Sequence, residues 1–212
     1  KKKVKQNAVT LMDMAKRIKK KTPLIAFLLH DALRLIAFYG IAASLTYYAK
    51  IVLQDMTQMK ILMVLFFLGG TIGSLISKPV VAKMGGAKKA TYAGVIAFMI
   101  CHAITYFIPA NVWLFATFLF LGQLLFGISY GLTSNMYAMC GTYSEWKTGK
   151  NTRGVVMSFC SLAIKLAIAL RGVIIAFVLV MINYDPTGSI TASAQSGIKT
   201  LLIIVPVIFL AV

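Results

Sequence analysis

Six long apolar segments, separated by short polar stretches, organise this sequence. Each is long enough to cross a hydrocarbon core ~30 Å thick at about 1.5 Å per residue, the second by the smallest margin. Helices are the expected spanning form, because lipid offers no hydrogen bonds to a backbone, and the alternating pattern of a membrane barrel is absent. The pattern predicts an all-α membrane protein. The segments are 23–49, 61–77, 90–108, 111–139, 154–182 and a run that starts near Gly197.

Residues 1–22 precede the first apolar segment and are rich in lysine. Leu11, Met14, Ala15 and Ile18 fall at helical spacing with cations between them. This favours a short amphipathic helix on the membrane surface, with a solvated basic linker as the alternative. We therefore expect a linker over 1–22 and a transmembrane helix bundle over 23–212.

Both ends of the chain fall inside patterned stretches. The first residue is a lysine within a basic run, and the last lies in the apolar run LLIIVPVIFLAV. We expect the chain to be part of a longer protein whose sixth span is incomplete here. No apolar signal-peptide core follows the N-terminus.

The distribution of Lys and Arg predicts the orientation. The N-terminal segment carries nine, the polar stretch after the second span four and the stretch after the fourth span three, whereas the opposite side carries only Lys50, Lys60 and Lys199. Cytoplasmic loops are the ones enriched in these residues. We therefore expect a multi-pass protein of the plasma membrane, with residues 1–22 and a 141–153 loop in the cytoplasm.

The placement of the charged residues along the chain says more about function than the net charge does. The 212 residues carry 22 Lys and Arg against 5 Asp and Glu, a net charge of +17. Such a charge often marks a nucleic-acid-binding protein. Here it lies in clusters between apolar spans, so no nucleic-acid partner is expected. The three cysteines have no metal-ligand spacing, and we expect no metal site.

The fifth segment carries the most distinctive candidate site. At about 100° per residue, one face of its helix is small and polar with a lysine halfway across. An ionisable group inside a span usually faces a cavity or a partner. Lys165 and Ser161 would suit a water-filled cavity for an oxygen-rich or anionic ligand; a structural lysine paired with another helix is the alternative. The face comprises Gly154, Ser158, Ser161, Lys165, Ala169 and Gly172. Arg171 lies off it, and we expect it to snorkel outward, pair with another helix or touch phospholipid.

The first segment contains a candidate ion pair. Asp31 and Arg34 are i, i+3 neighbours, so pairing would make their burial tolerable. Two interpretations stay open: a neutralised pair near the cytoplasmic end, or a ligand contact or gate. His30 shares the stripe of Arg34.

The fourth segment offers a second polar face. Tyr130 and its companions suit the hydroxyls and ring faces of a sugar, but Gly127 and Gly131 form a GxxxG pattern that also predicts close helix packing. The face comprises Gln123, Gly127, Tyr130, Ser134 and Tyr137. No catalytic motif accompanies it, so we do not expect an enzyme.

The stretch MCGTYSEWKTGKNTRGVVMSFCSLAIKLAIAL (139–170) resembles the conserved region before and within helix eleven of the glycoside–pentoside–hexuronide:cation symporters, which belong to the major facilitator superfamily. The basic stretch 78–90 is similar to the turn between helices eight and nine of that superfamily. The matching positions are Tyr143, Glu145, Lys147, Thr148, Gly149, Arg153, Gly154 and Lys165.

The resemblance implies the six-helix C-terminal half of a twelve-helix transporter whose halves rock around a central site. It implies that Lys165 lies in the sugar and coupling-ion region and that Ser161 stands near the cation site. The implied partners are a sugar or glycoside, Na⁺ or H⁺, the bilayer and the N-terminal half, which would hold most of the cation site. No cofactor is implied. Met139, Thr142 and Ser144 depart from the family pattern. Met139 replaces the family acid at the cytoplasmic end of helix ten, and the alternatives are a lost gate contact, a different coupling ion or a different substrate.

We place Lys165, Ser161, Tyr130 and Asn135 on the wall of the transport cavity. Glu145, Lys147 and Arg153 are assigned to a cytoplasmic gate, in which Glu145 pairs with cations of neighbouring loops in one state and releases them in the other. The alternative is that the cations of this stretch serve only the positive-inside topology and that Glu145 has no role in gating. The competing functions are a carrier of another solute, such as a lipid or nucleoside, and a non-transporting membrane sensor.

Overall fold

A computed structural model describes residues 22–107, 111–149, 153–185 and 190–211. Within these ranges it contains six helices long and apolar enough to cross a membrane, as the apolar segments predict. The helices are α1 Thr22–Tyr47, α2 Thr57–Leu75, α3 Ser77–Met84, α4 Ala87–Phe107, α5 Val112–Thr148, α6 Arg153–Met181, α7 Ala192–Lys199 and α8 Val205–Ala211. The predicted amphipathic helix of 1–22 lies almost wholly outside the described residues.

Two of the six spans contain π-helical turns. Residues Tyr48–Val52 extend α1, and Thr200–Ile204 join α7 to α8, so that α7 and α8 form one span from Ala192 to Ala211. Such wide turns are frequent where a helix bends or serves a functional site.

Short polar side chains set the starts of several helices. Asp55 accepts the backbone N–H of Thr57 at 2.9 Å ahead of α2, and Asn111 accepts those of Trp113 and Leu114 ahead of α5. These bonds satisfy N–H groups that have no partner within the helix. Hydrogen bonds from Thr57, first, and Gln58 hold the pKa of the Asp55 carboxyl below its usual value.

The central helix of the bundle is α5. It packs most extensively against α2 and α4, while α1 packs against α6 and the last span. The core between them is aromatic, with Phe66, Phe98, Phe115 and Phe126 fully buried. Tyr47 and Tyr184 meet at one end of the bundle, and Phe27 and Tyr137 towards the other.

Glycines bring α2 and α5 into close contact. A Cβ added to Gly73 would lie 1.9 Å from the carbonyl oxygen of Leu124, and one added to Gly127 would lie 2.3 Å from that of Gly70. A Cβ on Gly131 would fall 2.9 Å from Ser74. The GxxxG pattern therefore serves close packing, because only residues without side chains let the two backbones approach this far.

The predicted loop at 141–153 is wrong in length. Helix α5 continues to Thr148, so most of that stretch is helical, and Gly149, with φ 64°, caps its C-terminus. At about 1.5 Å per residue, its 37 residues outreach a hydrocarbon core ~30 Å thick. The apolar pattern ends near residue 139, but the backbone hydrogen bonds that define the helix continue through the polar residues to Thr148.

The basic stretch 78–90 also differs from a simple turn. It contains most of α3, and only Gly85 and Gly86 turn the chain, with φ of 70° and 145°. Positive φ is readily adopted by glycine, which explains the paired glycines between α3 and α4.

Candidate transport site

The polar face of α6 is left uncovered by the bundle. Lys165 and Ser161 are exposed, and so are the other four residues of the predicted face. The opposite face packs through Ala163, Ala167 and Ile175, which are buried. Of the most apolar 18 residues of each span, 11% are buried in α6 against 50% in α5. Thus α6 presents an intramembrane lysine on a face that the described helices do not cover.

An aromatic cleft of about 380 Å³ opens between α1, α2 and α5. The ring of Phe38 stacks on Phe126 at 5.6 Å and on Tyr130 at 6.1 Å between centroids. Tyr39 and Tyr130 bring hydroxyl groups to the walls, as do Thr71 and Ser74. The lining residues are Phe38, Tyr39, Phe66, Phe67, Gly70, Thr71, Ser74, Leu75, Phe126, Gly127 and Tyr130.

Arg34 lies behind the cleft, next to two of its rings. Its guanidinium carbon is 5.4 Å from the ring centroid of Phe126 and 5.6 Å from that of Tyr130. The side chain is 2% exposed, whereas Tyr130 is 44% exposed. The buried cation therefore supports the aromatic wall from the inside through cation–π contacts.

A buried polar network holds Arg34 in this place. Its Nη2 donates to Asp31 Oδ1 at 2.5 Å and to Thr133 Oγ1 at 2.6 Å. The Tyr137 hydroxyl donates to the other carboxylate oxygen of Asp31 at 2.9 Å, and Arg34 Nη1 lies 3.5 Å from the hydroxyl of Ser129. Asp31 and Arg34 thus pair, and three residues of α5 complete the hydrogen bonds that a buried ion pair needs.

None of these three partners on α5 is among the predicted site residues. Ser129, Thr133 and Tyr137 recur at intervals of four residues, which places them along one stripe of a helix. The four-residue interval is visible in the sequence. The three residues become partners of Asp31 and Arg34 only because α1 packs against this side of α5. Tyr137 is predicted to share a polar face with Tyr130, but its side chain is fully buried.

The predicted cavity residues lie on two different helices. Lys165 and Ser161 are on α6, while Tyr130 and Asn135 are on α5, and all four are exposed. Tyr130 lines the aromatic cleft. Asn135 is five residues from Tyr130, about 140° around an ideal helix, so the two side chains leave α5 in different directions.

Arg171 connects α6 with the cleft. Its guanidinium carbon lies 5.7 Å from the ring centroid of Tyr39, a cleft residue on α1. Of the three expectations for Arg171, the structure therefore shows the contact with another helix.

The predicted gate residues cluster where α5 meets α6. Arg153 Nε lies 2.7 Å from Glu145 Oε2, so the ion pair bridges the connection between the two helices. Lys147 Nζ lies 5.9 Å from the ring centroid of Tyr143. The structure thus pairs Glu145 with the first residue of the next helix. Lys150 lies outside the described residues.

Within the described ranges, no three His, Cys, Asp or Glu residues approach closely enough to hold a metal ion. The side chains described above around the cleft and on the polar face of α6 offer aromatic rings, hydroxyls and cations.

Two curated proteins are similar in sequence to most of this chain. The chain is 28% identical over 203 residues, 96% of its length, to the Uncharacterized symporter YjmB of Bacillus subtilis (strain 168). It is 28% identical over 140 residues to an uncharacterized 29.9 kDa protein in the crtE 3′ region of Pseudescherichia vulneris, 66% of this chain. The chain spans about half the length of both, 44% and 51%. No solved structure matches it at a significant level.

A family model described as MFS/sugar transport protein matches residues 1–212, the whole chain. The six helices of the described residues that are long and apolar enough to cross a membrane fit a multi-pass membrane protein of this family. The chain belongs to the MFS/sugar transport protein family.

Proposed function

We propose that this chain forms half of a secondary transporter that moves a sugar or glycoside together with Na⁺ or H⁺ by alternating access. The other half is a second six-helix bundle of the same transporter. Such halves rock around a site near the middle of the membrane. The resemblance of residues 139–170 to the glycoside–pentoside–hexuronide:cation symporters supports this narrower assignment.

The aromatic cleft is the observation that carries the proposal. Its volume of about 380 Å³ falls within the usual range for small-molecule sites, ~300–1,000 Å³. Rings of Phe38 and Tyr130 offer flat apolar faces to the C–H side of a sugar ring. The hydroxyls of Tyr39, Thr71 and Ser74 offer hydrogen bonds to its edge. A few polar groups on an aromatic wall are what orient and select a ligand in such a site.

The polar face of α6 supplies the charged part of the proposed cavity. Lys165 would contact oxygen atoms of the solute, and Ser161 would lie near the coupling ion. A lysine in a span is costly unless it faces water or a partner, which supports placing it toward the cavity. Asn135 is assigned to another part of the cavity wall, because it leaves α5 in a different direction from Tyr130.

The basic end of the bundle is assigned to the cytoplasm of a cell whose plasma membrane holds the protein. Lys78, Lys83, Lys88 and Lys89 lie at that end, which supports the assignment through the positive-inside rule. Glu145, Lys147 and Arg153 would then form a cytoplasmic gate. The pair of Glu145 and Arg153 can serve as its latch by exchanging partners as the halves rock.

Uptake by the complete transporter in vesicles tests the function. A panel of radiolabelled glycosides and hexuronates is offered with a sodium or a proton gradient. We expect ion-driven uptake of at least one solute, abolished in Lys165→Ala and reduced severalfold in Tyr130→Phe. Lys60→Ala and Tyr106→Phe remove the same groups from exposed positions outside the site and should transport normally.

Absence of uptake for every sugar, with well-folded protein, contradicts the sugar assignment and favours a carrier of another solute. Uptake that is unchanged in Lys165→Ala assigns the lysine to structure. Equal losses in Tyr130→Phe and Tyr106→Phe would remove the cleft from the transport path.

A further inference from the structure

A second cavity, of about 250 Å³, lies at the basic end of the bundle, away from the aromatic cleft. It is formed by the N-terminal parts of α1 and α4 and by the C-terminal third of α5. Its lining includes Phe27, His30, Lys88, Thr91, Tyr92 and Met136. None of the proposed transport or gate residues lines it.

The polar groups of this cavity favour an anion. Lys88 is exposed and His30 half-buried, and no carboxylate is among the described residues of the lining. Lys88 Nζ lies 5.9 Å from the ring centroid of Tyr92, so the ring holds the ammonium group at the rim. Asp31, next to His30 in sequence, pairs with Arg34 and Tyr137 and does not line the cavity, so Lys88 is the charged group among the lining residues.

Thr91 adds a hydrogen-bond donor that is poorly used. It is buried, at 5% exposure, and its hydroxyl donates to the sulfur of Met136 at 3.7 Å. A thioether is a weak acceptor. A phosphate oxygen entering the cavity would offer the same hydroxyl a stronger, charge-assisted bond.

The remaining walls are apolar, and the cavity lies near one membrane surface. Phe27 and Tyr92 are aromatic, and rings of this kind are enriched at the level of lipid headgroups. Lys88 is in the first turn of its span, whereas Phe27 and Met136 lie deeper along theirs. A ligand that fills the site therefore has an anionic part at the rim and an apolar part below it.

We propose that this cavity binds the headgroup of an anionic phospholipid. The phosphate lies against Lys88, Thr91 and His30, and the glycerol and first acyl carbons lie against Phe27, Tyr92 and Met136. Basic pockets between transmembrane helices are suited to phosphate headgroups of this kind. The site is separate from the proposed transport function and does not depend on it.

Native mass spectrometry of the purified complete transporter tests the site. Phosphatidylglycerol is titrated into delipidated protein in a neutral detergent, with phosphatidylcholine as the uncharged comparison. Lys88→Gln should weaken phosphatidylglycerol binding by about fivefold, the contribution of one lysine near an anionic lipid. Lys83→Gln is the matched control, because it removes one exposed lysine from the neighbouring helix α3 and does not line the cavity. Thr91→Val should weaken binding as well.

Equal weakening by Lys88→Gln and Lys83→Gln would show a general charge effect and overturn the site. So would phosphatidylcholine binding as tightly as phosphatidylglycerol. Displacement of the lipid by millimolar inorganic phosphate would assign the cavity to a soluble anion instead. Binding is read without transport, so its failure is distinguishable from failure of the sugar assignment.

Discussion

The Nε2 of His102 in α4 lies 2.8 Å from the carbonyl oxygen of Leu202 in the last span. Pro206 stands four residues after Leu202, and proline has no N–H to give to that oxygen. A carbonyl can only accept, so the histidine carries its proton on Nε2. The His102 side chain thus replaces the backbone N–H that proline lacks at position 206. This contact lies next to the π-helical turn Thr200–Ile204.

His102→Phe should destabilise the protein by about 1 kcal/mol, because it leaves a carbonyl oxygen without its donor in a buried place. Phenylalanine keeps the stacked contact with Phe98, whose ring centroid lies 5.1 Å away. Thermal unfolding of the purified transporter measures the loss. The same substitution is also measured in a Pro206→Ala variant, in which alanine restores a backbone N–H that can bond to the Leu202 carbonyl. In that variant His102→Phe should cost less. An equal cost of His102→Phe in both backgrounds would contradict the role assigned here.

Gly73→Ala should prevent normal packing of α2 against α5. Its Cβ would lie 1.9 Å from a backbone oxygen, which no side-chain movement relieves, so the helices must separate. Overpacking of this kind costs ~1–3 kcal/mol or more. Gly70→Ala, one turn earlier, is the control, because its Cβ meets nothing within 4 Å. Thermal stability and monodispersity in detergent should fall for Gly73→Ala alone. Similar behaviour of the two variants would contradict close packing of α2 against α5 at Gly73.

Arg34→Met should be among the most destabilising single changes in the bundle. It leaves the Asp31 carboxylate buried with the Tyr137 hydroxyl but without its counter-charge, and breaking a buried pair on one side costs ~3–5 kcal/mol. The double variant Asp31→Asn/Arg34→Met removes both charges and should recover part of the loss in thermal unfolding. A double variant less stable than Arg34→Met would show that the charges are not coupled.

Glu145→Gln should change the balance between inward- and outward-facing states. The ion pair with Arg153 is partly exposed, at 59% for Arg153 and 35% for Glu145, so it contributes only ~0–1 kcal/mol. Two states separated by a few kcal/mol respond to a bias of that size. Cysteine crosslinking across the basic end and transport turnover measure the shift, with Lys78→Gln as the control. Unchanged turnover and unchanged crosslinking would contradict the gate role. The ion pair would then only connect α5 and α6.

The number and approximate positions of the six spans were predictable, because the bilayer imposes a length and a composition on each. The polar face of α6 was predictable for the same reason: Lys165 interrupts an apolar helix with small residues at helical spacing. The continuation of α5 to Thr148 was not, since the residues beyond the lipid carry no apolar signal. The transport roles of Lys165, Ser161, Tyr130 and Asn135 and the gate roles of Glu145, Lys147 and Arg153 stay predictions.

The sequence by itself determined which segments cross the membrane and which residues can be tolerated there, because burial in lipid acts on each helix separately. It also contained a family pattern around Glu145 and Lys165. Only the tertiary structure decided that Arg34 supports the ring of Tyr130, that Ser129, Thr133 and Tyr137 complete its network, and that His102 serves Leu202. These contacts join residues about 95 to 106 positions apart in sequence. They depend on how the helices pack, and the apolar pattern of each helix alone does not specify that packing.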